Sequence, residues 1–221
     1  MGDKVQDLEQ LQAQLQQEKL MEVGHSNILF LDISSSCTGY VVASVDFKTK
    51  KVDFKCAGAI WLDPKWPHQQ KYNYMFNALS NYFWIVQNID YIVVEQYTIN
   101  SKKMMGVQVV PEMQGAIKAG AWENGVTVDS ILPQSWRSTL GIKRNDKKDF
   151  KEPTKQKVLE YVQVPEQSVS NITKTNRKTP SDVYDAFGVA IGWLIRLGLE
   201  EKNMSFNSIK FNPHVGHTWG K

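Results

Sequence analysis

The sequence predicts an α/β protein built on a mixed five-stranded sheet, in which three antiparallel strands precede the parallel strands, with flanking helices. Three strand-like segments follow one another with only short turns between them, which is typical of an antiparallel meander. After residue 66, helix-like segments alternate with short apolar runs, which indicates parallel strands reached through helical crossovers. A content of 42% hydrophobic and 22% charged residues is that of a globular chain, so wholesale disorder is excluded.

The first three strands are predicted at residues 27–33, 38–45 and 52–61. The first of these is a continuous apolar run that contains an acid near its end, which suits a central strand buried on both faces. Residues 46–51 are polar and turn-like, so they separate the second strand from the third.

The rest of the domain alternates helices with two further strands. Pro67 can open the first helix, whose apolar residues form one stripe. Pro111 either starts or kinks the helix within 102–123. The predicted elements are a helix from 67 to about 88, a strand at 89–95, a helix within 102–123, a strand at 126–132, and helices at 133–140, 153–161 and 180–195.

Two terminal segments lie outside this domain, which we place at residues 25–202. Residues 1–24 are a Gln-rich helical arm whose leucines keep a 3-4 spacing for only about two heptads. We therefore expect a helix docked on the body or frayed, rather than a stable coiled coil. Residues 203–221 are predicted to be an irregular tail.

Composition argues against membrane and disulfide-rich classes. No uncharged apolar run reaches the roughly 18 residues that a membrane span needs, and the polar N-terminal arm lacks the apolar core of a secretory signal. The two cysteines, Cys37 and Cys56, are too few for a disulfide scaffold or a multi-cysteine zinc site. We therefore expect a cytoplasmic protein in a reducing compartment.

Positive charge is concentrated in one stretch of the chain. Residues 137–178 hold 11 basic and 5 acidic side chains, an excess of +6, whereas the whole chain carries +3. Such an excess is expected of a protein that binds a polyanion, although a solvated, Lys-rich loop would have the same composition.

Four carboxylates stand out by position. Asp32 and Glu95 end two apolar strands, where a charge is costly unless it is paired or holds a metal ion. Asp182 and Asp185 share one face at the start of the last helix. Acids at this end of a helix also interact favourably with the helix dipole, which is by itself a sufficient explanation for their position. Together the four predict a site for divalent cations, since Mg²⁺ prefers oxygen ligands. Two such ions about 4 Å apart can hydrolyse a phosphodiester.

Several motifs, in this order, resemble those of the RuvC-type Holliday junction resolvases of the ribonuclease H-like superfamily. The resemblance covers roughly residues 27–197. It rests on Asp32 followed by Thr38-Gly39-Tyr40, on Glu95 at the end of residues 91–96, on Gln114-Gly115-Ala116-Ile117, on Pro133-Gln134-Ser135-Trp136-Arg137 with the Lys-rich stretch after it, and on Asp182-Val183-Tyr184-Asp185-Ala186.

The resemblance implies a homodimer that nicks a four-way DNA junction symmetrically, leaving 5′-phosphate and 3′-hydroxyl ends. Its dimer contacts would come mainly from the helix around residues 104–122. Asp32, Glu95, Asp182 and Asp185 would be catalytic and would hold two Mg²⁺ ions, for which Mn²⁺ can substitute, with Asp32 between them. The predicted DNA contacts are Tyr97, Arg137, Lys143, Arg144, Lys147, Lys148, Lys151 and Lys155.

The chain also departs from the family pattern. Tyr97 stands about one position from the place of the family's DNA-wedging aromatic residue, so core packing is an equal alternative for it. The basic loop 143–151 and the stretch 165–179 are longer than in typical bacterial members, which suggests a divergent, phage-encoded member.

Two other functions stay open on the sequence. One is a branched-DNA-binding module without catalysis. The other is an actin-like or sugar-kinase ATPase, whose phosphate loop also begins with a strand ending in Asp. An ATPase of that kind gives no reason for Glu95 together with the Asp182/Asp185 pair.

Overall fold

A computed structural model of the protein describes residues 18, 22–79, 88–97, 108–144, 149–162, 180–199 and 204–205. The predicted N-terminal arm and C-terminal tail lie mostly outside these residues. So do Lys147, Lys148 and the stretch 165–179. Among the described helices, none combines the length and the apolar character that crossing a membrane would require.

The described strands form one mixed sheet in the order β5-β4-β1-β2-β3-β6. β1 pairs antiparallel with β2, and β2 with β3, whereas β4 and β5 join β1 in parallel. The predicted five-stranded mixed sheet is therefore confirmed. The strands are β1 His25–Asp32, β2 Cys37–Asp46, β3 Lys51–Trp61, β4 Tyr91–Glu95, β5 Thr127–Ile131 and β6 Met204–Ser205.

β6 is an addition within the tail that the sequence predicts to be irregular. Its two residues pair in parallel with Val52 and Asp53 of β3. A strand at the edge of a sheet offers unpaired backbone groups, and even a short segment can satisfy some of them. Two residues are too few to show a strand pattern in the sequence.

Five helices are described: α1 His68–Ala78, α2 Val109–Glu123, α3 Pro133–Thr139, α4 Lys151–Tyr161 and α5 Ser181–Arg196. Three prolines, Pro111, Pro133 and Pro153, lie in first turns, where the missing N–H has no helical partner in any case. Pro111 is the third residue of α2, so it belongs to the start of the helix and does not kink its middle. Pro153 is the third residue of α4, which begins two residues earlier than predicted.

The sheet separates two apolar cores. On one face α5 packs with α3 and α4, and Phe54 meets Phe187 edge to face at 5.7 Å between ring centroids. On the other face α1 and α2 cover residues such as Leu29 and Val94. Side chains alternate along a strand, and Phe30 and Val93 belong to the α5 core. Asp32 and Glu95, each two residues further on, therefore face the same side as α5.

Candidate active site

Asp32 and Glu95 lie side by side at one edge of the sheet. β1 and β4 are parallel, and the last pair in their register is Leu31 with Val94. Asp32 and Glu95 are the next residue of each strand. After Asp32, the Ser34 hydroxyl donates to the Cys37 carbonyl at 2.6 Å and accepts from the Cys37 N–H at 3.0 Å. This turn leads the chain directly back into β2.

Gly39 brings the start of α5 to the same place. It is the antiparallel partner of Asp32 in the sheet. A Cβ atom built on Gly39 would lie 1.9 Å from the backbone oxygen of Asp182, so only glycine permits this approach. Burial raises the pKa of the Cys37 thiol, and the nearby charge of Asp182 raises it further. Because Gly39 of the Thr38-Gly39-Tyr40 motif has no side chain, the start of α5 can pack against β2 beside Asp32.

The four carboxylates act on one another electrostatically. Burial raises the pKa of Asp32 well above its ordinary value, and the nearby charges of Glu95, Asp185 and Asp182 raise it further, while Arg137 opposes them. Burial also raises the pKa of Asp185 to about 7, against the positive charges of Arg137 and Lys151 and with the help of Glu95 and Asp182. The structure therefore brings all four predicted acids into one mutually repelling cluster.

Glu95 is held from three sides. The indole Nε1 of Trp136 donates to Glu95 Oε2 at 2.6 Å, and the Arg137 guanidinium lies 3.5 Å from the same oxygen. The amide of Gln114, on α2, donates to the Glu95 backbone oxygen at 2.7 Å. Burial raises the pKa of Glu95, while Arg137 and the Trp136 hydrogen bond lower it.

The donor set of this cluster suits a hard divalent cation. The donors are carboxylate oxygens, and their mutual repulsion is what a bound cation would relieve. In the described part of the chain, no group of three or more His, Cys, Asp and Glu side chains is already arranged around an ion position. The residues therefore fit Mg²⁺ in chemistry and charge, without a preformed coordination sphere.

Cations border the cluster on the side of α3 and α4. Arg137, Lys143, Arg144 and Phe150 line a cavity of about 520 Å³. The guanidinium carbons of Arg137 and Arg144 lie 4.9 and 5.0 Å from the centre of the Phe150 ring. The predicted DNA contacts Lys143 and Arg144 are exposed at its rim.

The remaining predicted DNA contacts that the structure describes lie on α4 and after β4. Lys151 is exposed at the first position of α4 and is close enough to Asp185 to lower its pKa. Lys155 lies over the Tyr184 ring at 5.6 Å. Tyr97, two residues beyond Glu95, is partly exposed. Its contact with DNA stays a prediction.

Comparison with known proteins gives similarity in structure alone. No family model and no curated protein matches the chain. Thermus thermophilus RuvC, solved in complex with a Holliday junction substrate, matches with a TM-score of 0.52 and 15% identity over 79% of this chain and 97% of RuvC. The yeast mitochondrial Holliday junction resolvase Ydc2 matches with a TM-score of 0.51 and 18% identity, over 79% of this chain and 80% of Ydc2.

A viral protein gives the same result. Fowlpox virus resolvase, in complex with substrate Holliday junction DNA, matches with a TM-score of 0.52 and 12% identity, over 77% of this chain and 98% of that protein. At these identities the comparisons establish the fold. The chain has the ribonuclease H-like fold found in these Holliday junction resolvases, as its motifs predict.

Sequence reasoning misses the interactions that hold the carboxylates in place. The segment with Trp136 is predicted only to lead to junction contacts, yet its indole binds Glu95. Gln114 belongs to one of the family motifs, but the sequence assigns it no role. Cys37 stands out in the sequence only as one of two cysteines, which are too few for a disulfide scaffold or a zinc site. A buried tryptophan needs an acceptor for its N–H, but the sequence does not show which carboxylate supplies it.

Proposed function

We propose that this protein is a metal-dependent endodeoxyribonuclease that resolves four-way DNA junctions by paired symmetric nicks, in recombination, repair or the processing of replication intermediates. The observation that carries the proposal is the convergence of Asp32, Glu95, Asp182 and Asp185 beside a cation-lined cavity. A phosphodiesterase needs such a combination, because metal ions act on the scissile phosphate while cations hold the flanking backbone.

In this proposal the four carboxylates hold two Mg²⁺ ions, or Mn²⁺ in their place. Bound there, the ions would lower the pKa of the attacking water and stabilise the departing 3′ oxygen. Asp32, at the end of a central strand and facing the other three acids, is the residue assigned to both ions. Six basic side chains bind backbone phosphates in this proposal: Lys143, Arg144, Lys147, Lys148, Lys151 and Lys155. Arg137 also contacts the DNA, and Tyr97 stacks on a DNA base.

The proposal includes a homodimer, since two nicks placed symmetrically on one junction require two sites related by symmetry. It places the enzyme in the cytoplasm. In the described part of the chain both cysteines are free and buried, which agrees with a reducing compartment.

The test is cleavage of a synthetic four-way junction, compared with a three-way junction, a flap and linear duplex, each in Mg²⁺ and in EDTA. We expect paired nicks in the four-way junction, with 5′-phosphate ends, only when Mg²⁺ is present. Binding of the junction without cleavage would instead identify a non-catalytic binding module. ATP turnover without cleavage of DNA would identify an ATPase.

Asp32→Asn is the variant that tests the assignment of the carboxylates. We expect it to lose cleavage by several orders of magnitude while binding the junction at least as tightly as wild type, because it removes one negative charge from the DNA-facing site. Cleavage at the wild-type rate would exclude Asp32 as a catalytic residue. A parallel loss of binding would indicate misfolding of the variant.

A further inference from the structure

We infer that Trp136 is a positioning residue, whose indole N–H fixes the Glu95 carboxylate for metal binding. Gly188 and Gly192 provide the space in which the Trp136 side chain packs. This inference rests on the proposed function, because it assigns Trp136 a role in the same carboxylate site.

The hydrogen bond between the two side chains is short and directional. Trp136 is fully buried, and its Nε1 lies 2.6 Å from Glu95 Oε2. An indole N–H can only donate, so the bond favours the ionised carboxylate, the form that binds a cation. Arg137, whose guanidinium carbon lies 4.4 Å from the centre of the Trp136 ring, contacts the same oxygen. Since both donors take Oε2, a cation would bind through Oε1.

Two glycines of α5 provide the space for the indole. A Cβ atom on Gly188 would lie 2.4 Å from the Trp136 ring, and one on Gly192 would lie 2.7 Å from the Trp136 Cβ. The two glycines are four residues apart and share one face of the helix. A glycine inside a helix is less favourable than an alanine, because it loses more conformational freedom on folding. The helix therefore carries two glycines at the positions that contact Trp136, which is one of the residues bound to Glu95.

The chain contains a matched pair of the same chemistry away from the cluster. Trp193 of α5 donates its indole N–H to Asp129 Oδ2 of β5 at 2.8 Å. Asp129 is not among the groups that shift the pKa of Asp32, Glu95 or Asp185. Loss of the Trp193 bond therefore reports what an indole–carboxylate bond contributes to packing alone.

The test measures Mn²⁺ binding to the DNA-free protein by electron paramagnetic resonance, for wild type, Trp136→Phe and Trp193→Phe. Phenylalanine keeps a buried aromatic ring and removes the N–H. We expect Trp136→Phe to weaken Mn²⁺ binding about 10-fold or more, as is common when a metal ligand is deprived of its hydrogen-bond partner. We expect Trp193→Phe to bind Mn²⁺ like wild type. Equal Mn²⁺ affinity in Trp136→Phe and wild type would overturn the inference.

Two further measurements separate positioning from stability. In junction cleavage, Trp136→Phe should raise the Mg²⁺ concentration for half-maximal activity more than it lowers the rate at saturating Mg²⁺. In wild type, the indole ¹H–¹⁵N resonance of Trp136 should shift on addition of Mg²⁺, while that of Trp193 stays in place. This measurement needs no variant, so it tests the inference even if Trp136→Phe does not fold. A Trp136 resonance that does not shift when Mg²⁺ is added would contradict the inference.

Failure of the proposed function gives a different result. A wild-type protein that neither binds Mn²⁺ nor cleaves junctions contradicts the nuclease itself. A wild type that does both, beside a Trp136→Phe variant with unchanged Mn²⁺ affinity, contradicts only the role of Trp136.

Discussion

At the scale of single residues, the carboxylate cluster works against the stability of the metal-free chain. Asp32 and Asp185 are partly buried beside two other acids, and both have raised pKa values. Functional sites commonly keep charges together that folding alone would separate. A substitution that removes one of these charges should therefore stabilise the metal-free protein and weaken the metal binding that we propose for the cluster.

The pKa of Asp185 gives this trade-off a pH dependence. It is raised from 3.8 to about 7, so the folded protein keeps a proton that the unfolded chain has lost between these values. The contribution of Asp185 to the free energy of unfolding in EDTA should therefore fall as pH rises through this window and level off above about pH 7. We expect Asp185→Asn to be more stable than wild type at pH 8, by roughly 1–3 kcal/mol, with the gap closing near pH 4.

Thermal melts of both proteins in EDTA, from pH 4 to pH 8, test this. Melts repeated in Mg²⁺ provide the control, since a bound cation should stabilise wild type at pH 8 and do little for the variant. Parallel pH profiles for the two proteins would show that Asp185 does not carry the effect.

The four acids can be predicted from the sequence, but the residues that support them cannot. Asp32 and Glu95 end apolar strands, a pattern that is visible without a structure. The bond from Trp136 to Glu95 joins residues 41 positions apart. Nothing local distinguishes that tryptophan from an ordinary core residue, because its acceptor is decided by how α3 and α5 pack.

At the scale of elements, the contact between β2 and α5 depends on one glycine. We expect Gly39→Ala to destabilise the protein by about 3 kcal/mol or more, because the added Cβ would clash with the Asp182 backbone and not with a flexible side chain. Chemical denaturation measures this loss. The matched control is Gly115→Ala on α2, where the added Cβ has nothing within 4 Å.

Gly115→Ala should leave stability unchanged or raise it by up to about 1 kcal/mol, because alanine favours the helix. Equal effects of the two substitutions would show that the approach of α5 to Gly39 is not tight in solution.

α4 carries a prediction about DNA affinity. Neutralising Lys151 and Lys155 should weaken junction binding and reduce the slope of log affinity against log salt by about 1 for each phosphate that the variant no longer neutralises. Lys157→Ala on the same helix is the control, since Lys157 pairs with Glu160 at 2.6 Å. A salt slope that is the same in all three proteins would mean that α4 does not touch the DNA backbone.

The helices and strands themselves follow largely from hydrophobic patterns. The apolar runs of β1 and β4 and the long apolar face of α5 are strong signals, because burial dictates them residue by residue. The ends are less predictable. The sequence places the start of α4 at Pro153, but the helix begins at Lys151, since proline is accepted anywhere in the first turn.

At the scale of the whole molecule, the exposed Trp122 offers a test of the proposed homodimer. It is 84% exposed on α2, an unusual position for a large aromatic side chain, and lies on the helix expected to form the dimer. We expect wild type to be dimeric by light scattering and Trp122→Glu to shift to the monomer. Deleting residues 1–22 should leave the dimer intact. A dimer that survives Trp122→Glu but not the deletion would transfer the interface to the N-terminal arm.

The packing of α5 against Gly39 also decides when the four acids come together during synthesis of the chain. Asp182 and Asp185 emerge from the ribosome some 150 positions after Asp32, and they reach it only when α5 docks on the finished sheet. A nascent or prematurely terminated chain that ends before residue 180 carries only half of the acids. Under the proposed function, such a chain would therefore lack nuclease activity, because half of the carboxylates assigned to the metal ions would be missing.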